Sequence, residues 1–178
     1  YYYSIFEILQ KMTAKNRKQN FIGTSEKHLR KIFDDWQPYR IHQIFNWVYH
    51  YGCREFSEMT NLSKIMRAQL TDLFYFSLPK IQNKTCSQDG SIKYLLRLDD
   101  DALVESVWMP SESRNTLCLS TQVGCRLNCS FCLTASLGLK RNLTAGEIIG
   151  QCMSINEDLE KGDTITNVVF MGMGEPFD

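Results

Sequence analysis

The stretch Gly124-Cys125-Arg126-Leu127-Asn128-Cys129-Ser130-Phe131-Cys132 decides both the fold and the chemistry of this chain. It sets three cysteines at the spacing Cys-x3-Cys-x2-Cys, and Gly124 loosens the backbone where the loop begins. Thiolates are the ligands that hold iron–sulfur clusters, and a cluster usually takes four of them. Three closely spaced thiolates leave one iron without a protein ligand, and an open coordination position is where metal sites do chemistry. Zinc is the competing reading. Structural zinc wants a fourth ligand, typically from a second cysteine or histidine pair. Here His28, His42 and His50 lie far upstream, and Cys152 falls in a helix-like stretch. Disulfide partners and plain buried thiols are the remaining alternatives.

Outward from the loop, the flanks read as one parallel unit. Asn115 to Thr121 is the strand that delivers the cysteines, with Cys118 pointing opposite to Leu117 and Leu119. A lone cysteine in a strand is by itself a small core residue. Downstream, Thr144-Ala145-Gly146-Glu147 is a capping-box pattern, and Ile148, Ile149, Cys152, Ile155 and Leu159 form the apolar face of a helix. Lys161-Gly162-Asp163 stops it. Asn167-Val168-Val169-Phe170-Met171 then supplies an apolar run, as in a parallel strand covered on both faces. Strand, loop, helix and strand make a βαβ unit, whose crossover is expected to be right-handed. Gly172-Met173-Gly174-Glu175-Pro176 closes it at the end where parallel α/β folds bind ligands. Glycines there permit close backbone approach, and a carboxylate accepts hydrogen bonds from an ammonium group.

Upstream, the pattern changes. Tyr1 to Gln10 mixes aromatic and aliphatic residues, as a short helix or part of a strand. From Lys11 to Arg40 eight basic residues face only Glu26, Asp34 and Asp35, a local excess that suits either a phosphate backbone or a solvated helix face. Ser25 with Leu29, Ile32, Phe33 and Trp36 predicts a capped amphipathic helix that Pro38 breaks. Ile41, Ile44, Phe45, Val48 and Tyr49 make a second stripe closed by Gly52. Asn61 or Ser63 caps a third, with Ile65, Met66, Leu70 and Leu73 on one face. Trp36, Trp47 and Tyr49 read as core residues. After Leu78-Pro79, Asp89-Gly90 is a hairpin turn, and Ile92, Tyr94, Leu96 and Leu98 share one side of a strand. Ala102 to Met109 completes a small antiparallel meander, with Glu105 on the side of Leu103 and Val107. A carboxylate there pairs with a cation, acts as a base, or simply faces water.

The 178 residues are 43% hydrophobic and 22% charged with no net charge, ordinary for a soluble protein. No apolar run of about 18 residues predicts a membrane span, and no signal peptide is visible. Seven cysteines without an export signal point to a reducing cytoplasm. The chain is read as part of a longer protein.

Several pieces together carry a family resemblance: Thr116-Leu117-Cys118-Leu119-Ser120-Thr121-Gln122-Val123-Gly124-Cys125, Arg141-Asn142-Leu143-Thr144, Glu147-Ile148-Ile149-Gly150-Gln151, Asn167 through Pro176, and Glu58-Met59-Thr60-Asn61-Leu62. The cysteine loop resembles the signature of radical S-adenosylmethionine (SAM) enzymes. With the other pieces, the chain from about Ser25 onward resembles the bacterial dual-specificity RNA methyltransferases, which modify adenine carbon 2 in large-subunit (23S) ribosomal RNA and in some transfer RNAs. The resemblance implies a 4Fe-4S cluster on Cys125, Cys129 and Cys132, with SAM bound at the cluster and its amino group at Gly174 and Glu175. It implies Glu105 as proton acceptor, and Cys118 as the cysteine whose disulfide releases a protein–RNA adduct. It implies an electron donor such as flavodoxin, a monomer, and a cytoplasmic setting with no membrane partner.

The fold expected is α/β: a partial (β/α) radical SAM barrel ending after its second strand. A helical, helix-hairpin-helix-like RNA-binding domain over 1–78 and an antiparallel region over 79–112 precede the barrel residues 113–178. The methyl-carrying cysteine is expected beyond Asp178, and the chain as it stands is not expected to turn over. A sister enzyme that methylates adenine carbon 8, whose motif typically runs Gly-Met-Gly-Glu-Ala, is disfavoured by Pro176. A zinc-binding or RNA-binding module without catalysis is the alternative from another class.

Overall fold

A computed structural model describes residues 18–127 and 129–178. The Tyr1–Gln10 segment and the basic residues Lys11, Lys15 and Arg17 lie outside the described residues. The chain divides into two compact units, one ending at Phe76 and the other running Ser77–Asp178.

In the first unit, short polar signals start each helix and apolar stripes bury it. Ser25 accepts the His28 N–H at 3.2 Å and caps α1 (Glu26–Ile32), which buries Leu29. Arg30, one of the basic residues of this segment, pairs with Glu26 on its own helix. The first helix stops earlier, at Ile32 with Phe33 as its cap, and is not ended by Pro38. Pro38 occupies the first turn of α2 (Pro38–Phe45), where its missing N–H would be unpaired anyway. Ile41 and Ile44 are buried, and the helix relaxes into a π-helical turn, Asn46–His50. Ser63 rather than Asn61 caps α3 (Lys64–Leu73), accepting Met66 N–H at 3.2 Å. Asn61 acts otherwise: its carbonyl accepts from Arg40 at 2.8 Å and its Oδ1 from Trp47 Nε1 at 2.7 Å. A two-stranded parallel pair, β1 (Gln19–Asn20) with β2 (Phe74–Tyr75), ties the ends together. Phe21 follows β1 and is fully buried, its ring 5.5–6.1 Å from those of Phe45, Phe56, Phe74 and Phe76. Trp36 stacks on the buried Phe33 at 4.0 Å.

The second unit is built on one sheet in the order β3-β4-β5-β6-β9. The strands β3 (Lys80–Cys86), β4 (Ile92–Arg97), β5 (Leu103–Met109) and β6 (Thr116–Cys118) run antiparallel to one another. A small antiparallel pair, β7 (Gln122–Val123) with β8 (Arg141–Asn142), stands apart from the sheet. After α4 (Ala145–Asp158), β9 (Asn167–Val169) adds to β6 in parallel. The antiparallel meander and the parallel unit are therefore one continuous sheet.

Thr144 starts α4 with a reciprocal capping box: its hydroxyl accepts Glu147 N–H, and the Glu147 carboxylate accepts Thr144 N–H at 2.8 Å. The core lies between α4 and one sheet face, where Tyr94, Leu96, Val104, Leu117, Leu119 and Ile155 are buried. The face that α4 presents differs from the expected stripe. Ile149 is exposed, while Gly146, Gly150, Gln151, Ser154 and Ile155 are buried. A Cβ at Gly150 would meet the Pro79 ring at 2.6 Å, and Ser154 Oγ donates to the Pro79 carbonyl at 2.7 Å. Small and hydrogen-bonding residues let this helix sit close to the chain beneath it.

Among the described residues β9 is three residues long and pairs with β6 alone, at the edge of the sheet, with Val168, Phe170 and Met171 exposed. Among the described residues no helix is long and apolar enough to cross a membrane.

Candidate cluster and SAM site

The cysteine loop is closed at its base by the β7–β8 pair. Lys140 N–H donates to Val123 O at 2.9 Å, and Cys125 N–H donates to Gly138 O at 3.2 Å. Gly124 has φ +79°, and a Cβ there would lie 1.7 Å from the Gly138 carbonyl oxygen. Only glycine fits this crossing of two backbones. Beyond the base the loop packs little: Phe131 is 91% and Leu133 85% exposed.

Cys125 is buried, and Cys129 and Cys132 are half-buried. Among the described residues no three Cys, His, Asp or Glu side chains are gathered closely enough to hold a metal ion, so the structure does not display a preformed thiolate triangle. In donor chemistry the loop does fit a cluster. All three thiols are free of disulfides. The Cys132 thiol is pulled below its ordinary range by the Ala135 and Thr134 N–H groups and the Thr134 hydroxyl, which favours the thiolate a metal needs.

The Gly-Met-Gly-Glu turn is stitched to the strand that feeds this loop. Leu119 N–H donates to Val169 O at 2.8 Å, Gly172 N–H to Leu119 O at 3.0 Å, and Thr121 N–H to Met173 O at 2.8 Å. Ser120 Oγ accepts Met173 N–H at 2.9 Å and donates to the Glu105 carbonyl at 2.5 Å. A Cβ on Gly172 would come within 2.7 Å of the Leu119 carbonyl group. One on Gly174, where φ is +99°, would come within 2.5 Å of Gln122 Cβ. The two glycines are thus required by contact, and Gly174 also by conformation.

Glu105 and Cys118 share the sheet face turned away from α4. The register pairs Val107 with Cys118, and directly paired residues point to the same side, which is also the side of Glu105. Leu117 on the opposite side is fully buried. Glu105 is half-exposed, and Lys93 Nζ lies 3.1 Å from its carboxylate. Burial pushes the Cys118 thiol up, against a smaller pull from the Met171 N–H. A cleft of about 340 Å³ is lined by Gln122, Asn142 and Glu175. Its walls include Leu143, Ile148 and Phe170, and alternation from Val168, which pairs with Leu117, puts Phe170 on the α4 side. That cleft is therefore not the space that Glu105 and Cys118 face.

The family model of the ribosomal RNA large subunit methyltransferase N-terminal domain matches residues 19–75. The dual-specificity RNA methyltransferase RlmN of Paracoccus denitrificans is 48% identical over 164 residues, covering 86% of this chain and 40% of that protein. That of a Ruegeria species is 41% identical over 184 residues, covering 94% and 46%. The crystal structure of a radical SAM methyltransferase from Sphaerobacter thermophilus aligns with a TM-score of 0.75 at 38% identity, covering 89% of this chain and 48% of that one. The chain belongs to the family of the dual-specificity RNA methyltransferases. It spans less than half the length of these relatives.

Side chains without a sequence-level role turn out to hold the family motifs together. Gln122, 1% exposed, accepts Glu175 N–H at 3.0 Å and donates to Asn142 Oδ1 at 2.9 Å and to Asp178 at 3.2 Å. Gln151, fully buried on α4, accepts from Ser106 Oγ at 2.7 Å and Ser120 N–H at 3.1 Å, and donates to the Ser120 carbonyl at 3.0 Å. Its position four residues before Ile155 and four after Glu147 was the available signal, since i,i+4 neighbours share a helix face. Arg141 binds Glu147 at 2.7 and 2.9 Å and Asp100 at 2.9 Å, locking the exit of the loop to the start of α4.

Proposed function

We propose that the natural-length protein carrying this chain methylates adenine carbon 2 in large-subunit ribosomal RNA and in some transfer RNAs. The observation that carries this reading is the joining of the Cys-x3-Cys-x2-Cys loop to the Gly-x-Gly-Glu turn through one strand pair, beside a sheet face bearing Glu105 and Cys118. A 4Fe-4S cluster on Cys125, Cys129 and Cys132, with SAM, would supply the one-electron chemistry that makes an unactivated methyl group reactive toward an aromatic carbon. The chain's own residues do the rest. The glycines at 172 and 174 let the turn lie directly against Leu119 and Gln122, and Glu175 receives the ammonium group of SAM. Glu105, whose carboxylate lies 3.1 Å from Lys93 Nζ, takes the proton that leaves adenine carbon 2. The Cys118 thiolate would attack the sulfur of a second cysteine that is bonded through its methylene carbon to the RNA. The S–S bond forms as the sulfur–carbon bond breaks, and the electron pair leaves with that carbon, which takes a proton and frees the methylated RNA. The unit over residues 19–75 contributes RNA contacts. A flavodoxin-like electron donor, a monomeric state and a cytoplasmic setting belong to the same proposal.

The test is anaerobic reconstitution of the natural-length protein and of a Cys125→Ala variant, followed by iron and sulfide analysis. Methylation of a ribosomal RNA fragment is then read by mass spectrometry of the nucleosides. About four irons per chain, lost in the variant, with 2-methyladenosine as product, is the expected result. Zinc in place of iron overturns the radical mechanism, and 8-methyladenosine overturns the carbon 2 assignment.

A further inference from the structure

We propose that Gln122 is a positioning residue for the amino-acid end of SAM, acting through the backbone of Glu175. The inference rests on the reading of Glu175 as the group that receives the SAM ammonium. Gln122 is buried, and its amide orientation is dictated by its partners. Its carbonyl oxygen accepts the Glu175 N–H at 3.0 Å, while its amino group donates to two oxygens, Asn142 Oδ1 at 2.9 Å and Asp178 Oδ2 at 3.2 Å. No flipped amide satisfies all three. The side chain therefore joins three segments at one point: the strand that enters the cysteine loop, the strand that leaves it, and the turn that presents Glu175.

Two further contacts make this joint stiff. Gly174 rests against Gln122 with no room for a Cβ, the nearest Gln122 atom standing 2.5 Å from where it would be. Gln122 N–H and Thr121 N–H both donate to the Met173 carbonyl, at 3.2 and 2.8 Å. The Glu175 carboxylate in turn accepts Phe177 N–H at 3.1 Å, so the turn and its carboxylate are held as one piece. A carboxylate fixed in this way binds an ammonium group without first having to be ordered. Gln122 also stands three residues before Cys125, so the same side chain ties the placement of Glu175 to the base of the cluster loop.

The experiment uses the natural-length protein, cluster-loaded under anaerobic conditions, and compares two probes by equilibrium titration. SAM carries the amino-acid group, and methylthioadenosine lacks it. Gln122→Met keeps the volume and removes every side-chain hydrogen bond; it should weaken SAM about 3- to 10-fold and leave methylthioadenosine unchanged. Gln122→Glu keeps an acceptor for the Glu175 N–H and should retain the wild-type preference for SAM over methylthioadenosine, even where its folded state is less stable. Iron content and the thermal midpoint are measured on each variant. Equal loss of both probes in Gln122→Met, or no loss of either, overturns the positioning role. A wild-type protein that binds the two probes equally well overturns instead the reading of Glu175 as the ammonium receptor.

Discussion

Gly124→Ala and Gly138→Ala form a matched pair, because both residues have positive φ but only one is crowded. Gly138 has φ 62° and ψ 168°, with no atom within 4 Å of an added Cβ. Alanine there costs only the backbone term, about 1–3 kcal/mol. At Gly124 an added Cβ would sit 1.7 Å from the Gly138 carbonyl oxygen, a backbone atom that cannot swing aside. Relief means moving the two loop strands apart and giving up the Cys125 N–H to Gly138 O bond at 3.2 Å. The left-handed conformation costs about 1–2 kcal/mol, the overlap about 1–3, and the lost hydrogen bond about 1. The sum exceeds the Gly138→Ala cost by about 2 kcal/mol, and it falls on the mouth of the cysteine loop. The Lys140 N–H, which closes on Val123 O at 2.9 Å, should therefore exchange with solvent about 30-fold faster in Gly124→Ala than in Gly138→Ala. Reconstituted Gly124→Ala should lose most of its iron while Gly138→Ala keeps most of it. Equal effects of the two substitutions on exchange and iron would refute the claim that the crossing of backbones at Gly124 shapes the loop.

Three further outcomes are expected. Gln151→Leu strands the Ser106 hydroxyl and both backbone groups of Ser120 in the core, at a cost of about 3–5 kcal/mol in urea unfolding; a cost below about 1 kcal/mol would contradict the burial of this network. Arg141→Met tests the lock on α4 through pH. Burial raises the Glu147 carboxyl, but Arg141 and Thr144 outweigh it and hold the group below its ordinary value; Arg141 likewise lowers Asp100. A lowered folded value stabilises above the unfolded pKa near 4 and is lost as pH falls through the folded one. The wild-type urea midpoint should thus fall more steeply than that of Arg141→Met below about pH 4.5, and parallel curves would refute the pairing. In the natural-length protein, Cys118→Ala should accumulate a covalent protein–RNA adduct, visible as a slow band on a denaturing gel, whereas release of free methylated RNA at the wild-type level would remove Cys118 from the proposed mechanism.

What the chain discloses about itself divides by the range of the interaction. Ser25, Ser63 and Thr144 bond to N–H groups three residues on, so their caps are legible in any local window. The alternation of Ile92, Tyr94, Leu96 and Leu98 is equally local, and their common side is the partly or fully buried one. By contrast, β3 is written mostly in polar residues, with Ile81 alone packed against the core and a register shift between Ile81 and Asn83. Its place in the sheet comes from backbone pairing with β4, which no side-chain pattern announces. The functional residues follow the same rule. The cysteine spacing and the Gly-x-Gly-Glu turn are contiguous signals, while Ser120, Gln122 and Gln151 acquire meaning only when register brings residues 31 to 53 positions apart within hydrogen-bond distance. A motif can be read from its own residues, but its mounting is set by the sheet, and in this chain the mounting is polar, buried and directional. That is why single substitutions at Gln122 and Gln151 are expected to disturb SAM binding and folding from outside the cysteine loop and the Gly-x-Gly-Glu turn they support.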